Sequence, residues 1–297
     1  MLVSSIHDDN AAHLCDLWSA VIGDLHLAWT ATNVRFASGP AEVSPASRDD
    51  AALARVRPEW DRHEGTGAGI DAVQMIDAAA QHLLGLKALL DSRTLALAPW
   101  PLARAVAEHV AHVAWLLEPG IRPEARMVRR WMARLAAAHR YRWMVGARKA
   151  SKAHERDAKE CRESIRDQLL RRFPGADTEW SDPAELPPWT IAAETYPSLS
   201  QQSRLIEKLG VESVAGLYNT LSLITHPNPV TLTMLVDKND VDDHVEVIYR
   251  VEPEQWTSIV GDACKLLYAA AHAACVYFAL DTDHLEAWYD RYESARH

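Results

Sequence analysis

Apolar residues recur at helical spacing along most of the chain. Behind Asp8 and Asp9, the residues Leu14, Leu17, Trp18, Val21, Ile22 and Leu25 fall on one side, which predicts a first helix ending near Trp29. Residues 37–67 are rich in Ser, Pro, Gly, Asp and Ala and read as a loop insert, closing on a cluster of Trp60, Asp61, His63 and Glu64. Periodicity resumes from Ile70 to Leu90. A helix opened by Pro99 and Pro101 and closed by Pro119 and Gly120 follows. Arg122 to Phe173 reads as one long helical stretch with its bend at Gly146 and a charged far half that projects from the body. Five prolines make 174–200 an irregular connection. Helices return at 201–209 and 211–225. VTLTMLV and HVEVIYRV then alternate around DKNDVDD, so 230–251 reads as a β-hairpin, the one strand signal in the chain. Helices over Glu254–Leu280 and His284–Ser294 complete a mainly α helical bundle, read as a single helical domain over 1–297 without internal repeats.

The helix of residues 101–117, PLARAVAEHVAHVAWLL, differs from the others. It is apolar almost all round, yet at 3.6 residues per turn Arg104, Glu108 and His112 form a narrow stripe, with His109 beside it. Buried Arg, Glu and His are costly unless paired, so the stripe must face partners, water or a ligand. Two uses compete. In one, Arg104 and Glu108 are an i, i+4 ion pair among satisfied core histidines. In the other, Arg104 binds an anion while Glu108, His109, His112 or Asp61 moves a proton.

Charge distribution favours the second use. The chain carries a net −10, but residues 122–172 hold 16 Lys and Arg against 6 Asp and Glu. An acidic chain with one basic helical segment suits an anionic small molecule, an acidic partner surface or a limited nucleic-acid contact. Arg126 and Arg130 from this segment, with Trp115 and His226, are therefore added to Arg104 as candidate substrate-binding groups. The 11 Trp against 3 Phe supply large apolar faces for a core or a cavity wall. Four well-separated cysteines suggest neither a zinc ribbon nor a disulfide framework, and a reducing cytoplasm fits them. The amino terminus lacks a signal-peptide pattern, and no membrane association is expected.

Arg104 and His109, in RAVAEH, match the Arg, four residues, His spacing of HEPN-domain nucleases. YNTLSLITHP, from Tyr218 to Pro227, and RAVAEHVAHVAWLLEPGIRPEARMVRR together resemble uncharacterised actinobacterial helical proteins with HEPN-like organisation, over about 130 residues. That resemblance implies a helical bundle that dimerises, with Arg104 stabilising phosphate charge and His109 assisting proton transfer in RNA cleavage. The chain departs from active nucleases in the mid-chain position of the pair and in Ala105, which stands where a polar residue usually follows the Arg.

Other chemistries find less support. Glu108, His109 and His112 could offer two metal ligands from one helix, but no second such motif completes a set, so no metal or other cofactor is expected. Ser222 and His226 lack an oriented acid and a nucleophile elbow. GTGAG at 65–69 does not follow a strand, which argues against a dinucleotide fold. The sequence thus predicts a metal-independent enzyme acting on a small anionic substrate by elimination, cyclisation or group transfer, in a homodimer or hetero-oligomer. A HEPN-like RNase or defence toxin, with RNA as a disfavoured partner, and a non-catalytic interaction protein are the alternatives.

Overall fold

Ten α-helices and two short antiparallel strand pairs form the described part of the computed structural model, which comprises residues 9–93, 98–182, 185–211, 214–225, 230, 233, 236–241, 244–249 and 253–296. The fold is mainly α, a helical bundle with one small β-hairpin. Helices α1 (Asp9–Phe36), α3 (Glu64–Asp91), α4 (Pro99–Leu116) and α9 (Pro253–Phe278) pack together, and α10 (Asp283–Arg296) covers α1. Their shared core is built from small and branched residues such as Ala72, Ile76, Leu83, Val106, Val110, Ala114, Leu266 and Ala270, all almost fully buried. Helix α9 is long and apolar enough to cross a bilayer, but 67% of its apolar window is buried within the protein, as suits a core helix.

Four segments depart from the sequence expectation, each for a local reason. The insert over 37–67 contains a helix, α2 (Pro45–Val56). Ser44 caps it reciprocally with Ser47, and Pro45 occupies its first turn, so the polar residues read as loop are helix-start residues. Helix α3 begins at Glu64, not Ile70, and takes in GTGAG. Glycine is required there by close approach: a Cβ on Gly67 would lie 2.3 Å from the Arg130 guanidinium, and one on Gly69 would lie 2.1 Å from the Phe278 ring. Arg122–Phe173 is two helices, α5 (Pro123–Ala147) and α6 (Lys152–Arg172), and the break is not at Gly146 but beyond it. Lys149 turns left-handed at φ 49° and Ser151 caps α6, which folds back on α5 and buries Ala158 and Leu169 instead of projecting.

The fourth departure is one of register. In the hairpin, β3 is Val236–Val241 and β4 is His244–Tyr249, with Val236 opposite Tyr249 and Val241 opposite His244. DKNDV, read as turn, is therefore strand. The 230–235 part of the expected first strand lies largely outside the described residues.

The connection over 174–200 is irregular, as its prolines predict, apart from a two-residue pair, β1 (Thr190–Ile191) with β2 (Glu194–Thr195). Ala192 and Ala193 form its turn at φ 48° and 70°, a conformation that alanine adopts at a cost of about 1–2 kcal/mol per residue. Burial of Trp189, Ile191 and Tyr196 and the 2.7 Å pair from Arg129 Nε to Glu194 hold it. The connection leads into α7 (Leu199–Arg204), a 3₁₀ turn over Leu205–Leu209, and α8 (Val214–Thr225), all packed on α4.

The basic helix α5 is tied to the acidic start of α3. Glu64, 1% exposed, accepts from Arg130 Nη1 at 2.9 Å and from Trp131 Nε1 at 3.3 Å, and pairs closely with Arg172 of α6. Removing one member of a buried charge cluster leaves its partners desolvated and unneutralised. Glu64→Gln should therefore lower the unfolding free energy by about 3 kcal/mol, read from urea denaturation. A loss below about 1 kcal/mol would show that the cluster contributes little.

Candidate functional site

A cleft of 470 Å³ opens between α3, α4 and α5 under the 186–202 segment. Helix α4 contributes Glu108, His109 and His112, spaced so that one turn presents all three. Helix α3 contributes Asp71, Gln74 and Met75 at i, i+3 and i+4. Helix α5 adds Ala133, Arg134, Ala137 and Arg140, whose two alanines leave the room that longer side chains would fill. Leu186, Tyr196, Pro197, Leu199 and Gln202 form the remaining wall.

The two imidazoles are held differently. His109 Nδ1 lies 2.7 Å from the Ala105 carbonyl, which can only accept, so that nitrogen carries the proton. In the neutral ring, Nε2 is then a lone-pair acceptor. The His82 ring stacks obliquely 5.3 Å from His109, and burial, followed by the charge of His109, pushes the His82 imidazole below its usual range. His112 sits edge-on to Trp115, with ring centroids 5.5 Å apart. Burial lowers its pKa to about 4, opposed by the Gln202 amide, so it is a neutral group at physiological pH. Gln202 is 2% exposed, and its Oε1 has no hydrogen-bond partner among the described residues.

The cationic side is equally distinct. Arg134 grips Asp71 in a bidentate pair, with Nε to Oδ2 at 2.7 Å and Nη2 to Oδ1 at 2.6 Å. Arg140 has no carboxylate partner among the described residues; its guanidinium lies 5.4 Å from the Trp180 ring centre. Burial raises the Tyr196 phenol above its ordinary value, and Arg140 partly offsets this. One guanidinium thus faces the cleft without an internal counter-charge. Among the described residues, no group of three or more His, Cys, Asp or Glu side chains is arranged to hold a metal ion.

Of the described residues singled out from the sequence, the cleft gathers Glu108, His109 and His112 and leaves out the others. Arg104 does form the i, i+4 pair with Glu108, Nε to Oε1 at 2.7 Å. It turns towards α8, donating to Thr225 Oγ1 at 2.6 Å and lying over the Tyr218 ring, instead of entering the cleft. Arg104 and His109 consequently meet different surroundings within one chain. Arg126 is buried by a 2.9 Å pair with Asp49 and a 2.8 Å bond to the Leu116 carbonyl, so it is structural. Arg130 is held by Glu64 and Asp71 behind the cleft wall. Trp115, 2% exposed, backs His112 and Tyr196 from beneath and offers a ligand no surface. Asp61 is exposed in the turn before α3, where it accepts from the His63 amide at 3.0 Å. His226 lies outside the described residues.

Comparison with family models, with curated proteins and with solved structures finds no match. The cleft must be read from its own chemistry.

The His112 environment sets a pH dependence. Its folded pKa of about 4 is below the unfolded value of 6.5, so between these values the unfolded chain binds more protons. The contribution to stability is complete above pH ~6.5, declines as pH falls and is lost by pH ~4. His112→Asn should remove about 2 kcal/mol of the stability difference between pH 7 and pH 5, measured by urea unfolding at both. Parallel profiles for the variant and the parent would show that His112 protonates freely in the folded state.

Proposed function

We propose that the chain is an enzyme that binds a small organic anion in the α3–α4–α5 cleft and transforms it by proton transfer, in an elimination, cyclisation or group transfer. The observation that carries this reading is the meeting, in one cleft of 470 Å³, of an imidazole with its acceptor nitrogen free and a guanidinium without an internal counter-ion. Arg140 takes the anionic group, assisted by the N–H groups of Arg134 that Asp71 leaves available. His109 Nε2 accepts the proton. Glu108, engaged by Arg104, anchors the polar stripe on α4, and neutral His112 with Gln202 supplies hydrogen bonds to the substrate. Met75, Leu116 and Leu199 give its body apolar contact.

The reaction needs no metal. All four cysteines are free, three of them buried, and the proposed location is the reducing cytoplasm.

A thermal-shift panel of small carboxylic acids and phosphate and sulfate esters tests the reading. At least one should raise the melting temperature by a few degrees at saturating concentration, and Arg140→Gln should abolish the effect. With that ligand as substrate, His109→Gln should lower kcat by about 10²–10⁴-fold while leaving its binding nearly unchanged. The proposal fails if no anion stabilises the chain or if Arg140→Gln binds as the parent does. Cleavage of RNA that depends on His109 would instead favour the HEPN-like alternative.

A further inference from the structure

A second concave surface lies further along α5, with no lining residue in common with the first cleft. His139, Arg142, Trp143 and Gly146 recur at i, i+3, i+4 and i+7, a single helix face, and with Ala147 and Ser181 they line a groove of 490 Å³. Three features of this groove lack an internal explanation. The first is charge. Arg142 has no ion-pair partner among the described residues, and it stands close enough to Arg162 of α6 for the two guanidiniums to repel, an effect that Glu179 and Glu163 only partly offset at Arg162. Burial, followed by the guanidiniums of Arg142 and Arg166, pushes the Arg162 guanidinium below its ordinary value.

The second is a set of unmet hydrogen-bonding groups. His139 Nδ1 on the groove's lining is buried without a partner, as are the neighbouring Arg162 Nε and Trp180 Nε1 among the described residues, and the His139 and Trp180 rings stack at 4.7 Å. Such groups are rare in a closed structure and are satisfied when a ligand or ordered solvent reaches them. The third is shape. Nine of the eleven tryptophans are buried, whereas Trp143 is 58% exposed on the groove's rim, and a Cβ on Gly146 would meet nothing within 4 Å. Packing does not require a glycine there, yet it keeps the floor beside Trp143 flat.

We propose that this groove binds a nucleoside di- or triphosphate, its base laid against Trp143 over Gly146 and its phosphates between Arg142 and Arg162. Clustered guanidiniums favour a multiply charged phosphate, and an exposed indole beside them favours a flat ring on the same molecule. The site is separate from the α3–α4–α5 cleft and does not depend on the reaction assigned to it.

Isothermal titration calorimetry of the full chain with adenosine diphosphate, inorganic pyrophosphate and a short oligothymidylate decides the matter. Adenosine diphosphate should bind about tenfold more tightly than pyrophosphate, because only it carries a base to stack. Arg142→Gln, an exposed position, should weaken it by about tenfold. Gly146→Leu should abolish binding by filling the groove while leaving the melting temperature unchanged or raised, which separates occlusion from misfolding. Equal binding of pyrophosphate and adenosine diphosphate overturns the proposal. So does unchanged binding in either variant, and so does binding of the oligonucleotide without the mononucleotide.

Discussion

Glu64 holds the structure together from a position where a lone carboxylate could not persist. It is 1% exposed and meets Arg130, Arg172 and the Trp131 indole, so one acidic side chain at the start of α3 joins α3, α5 and α6. A buried ion cluster need not add net stability over a well-packed apolar one. Its effect here is positional. Residue 67 has no Cβ, which leaves room for the Arg130 guanidinium at Glu64, and the same guanidinium touches Asp71, which lines the cleft. Any sliding of α5 along α3 would strand three or more charges out of water, so the separation between these helices is fixed.

That fixed separation makes the cleft. Asp71 receives Arg130 from behind and Arg134 from the front, so the α3 and α5 walls meet at one carboxylate. Beyond it, Ala133 and Ala137 do not close the gap, and Arg140 is carried to the far side without a carboxylate of its own. The arginines therefore divide by depth along a single helix. Arg126, Arg129 and Arg130 are neutralised inside the protein by Asp49, Glu118, Glu194, Glu64 and Asp71, whereas Arg140 and Arg142 are not. Part of the basic excess of residues 122–172 is thus an internal counter-charge to carboxylates of α2, α3 and the segments that follow α4 and α6, and the remainder includes Arg140 and Arg142 at the C-terminal end of α5.

The sequence made the helices legible where apolar periodicity is strong, as in α1, α4 and α9, because burial on one face leaves that mark directly. It misled where one residue type serves two purposes. Ser44 and Pro45 start a helix as readily as they make a loop, and Gly67 and Gly69 serve contact rather than flexibility. The strand β3 was hidden because DKNDV pairs through its backbone, which side-chain composition does not report. At the cleft, Glu108, His109 and His112 were visible as polar groups on an apolar helix. Tyr196 and Gln202 were not, since nothing in 174–202 announces which of its residues fold back onto α4, and Arg140 was one of many cations on α5. Arg126 was chosen for its charge and Arg104 for its place on the stripe, and neither ground reveals whether a carboxylate already answers the guanidinium.

The polar stripe on α4 is therefore two arrangements back to back. Arg104 faces α8 and is satisfied there by Thr225 and by Glu108, which also borders the cleft. His109 is oriented by its own helix through the Ala105 carbonyl, and His112 is kept neutral by burial over Trp115. The tautomer of His109 is thus set by a backbone carbonyl, and the neutrality of His112 by burial. An imidazole whose donor side is already occupied by backbone presents a single acceptor of defined direction, and a cation across the cleft places an anionic molecule against it. Replacing the Ala105 carbonyl bond by solvent would free the ring to flip and remove that direction, even with every cleft residue still in place.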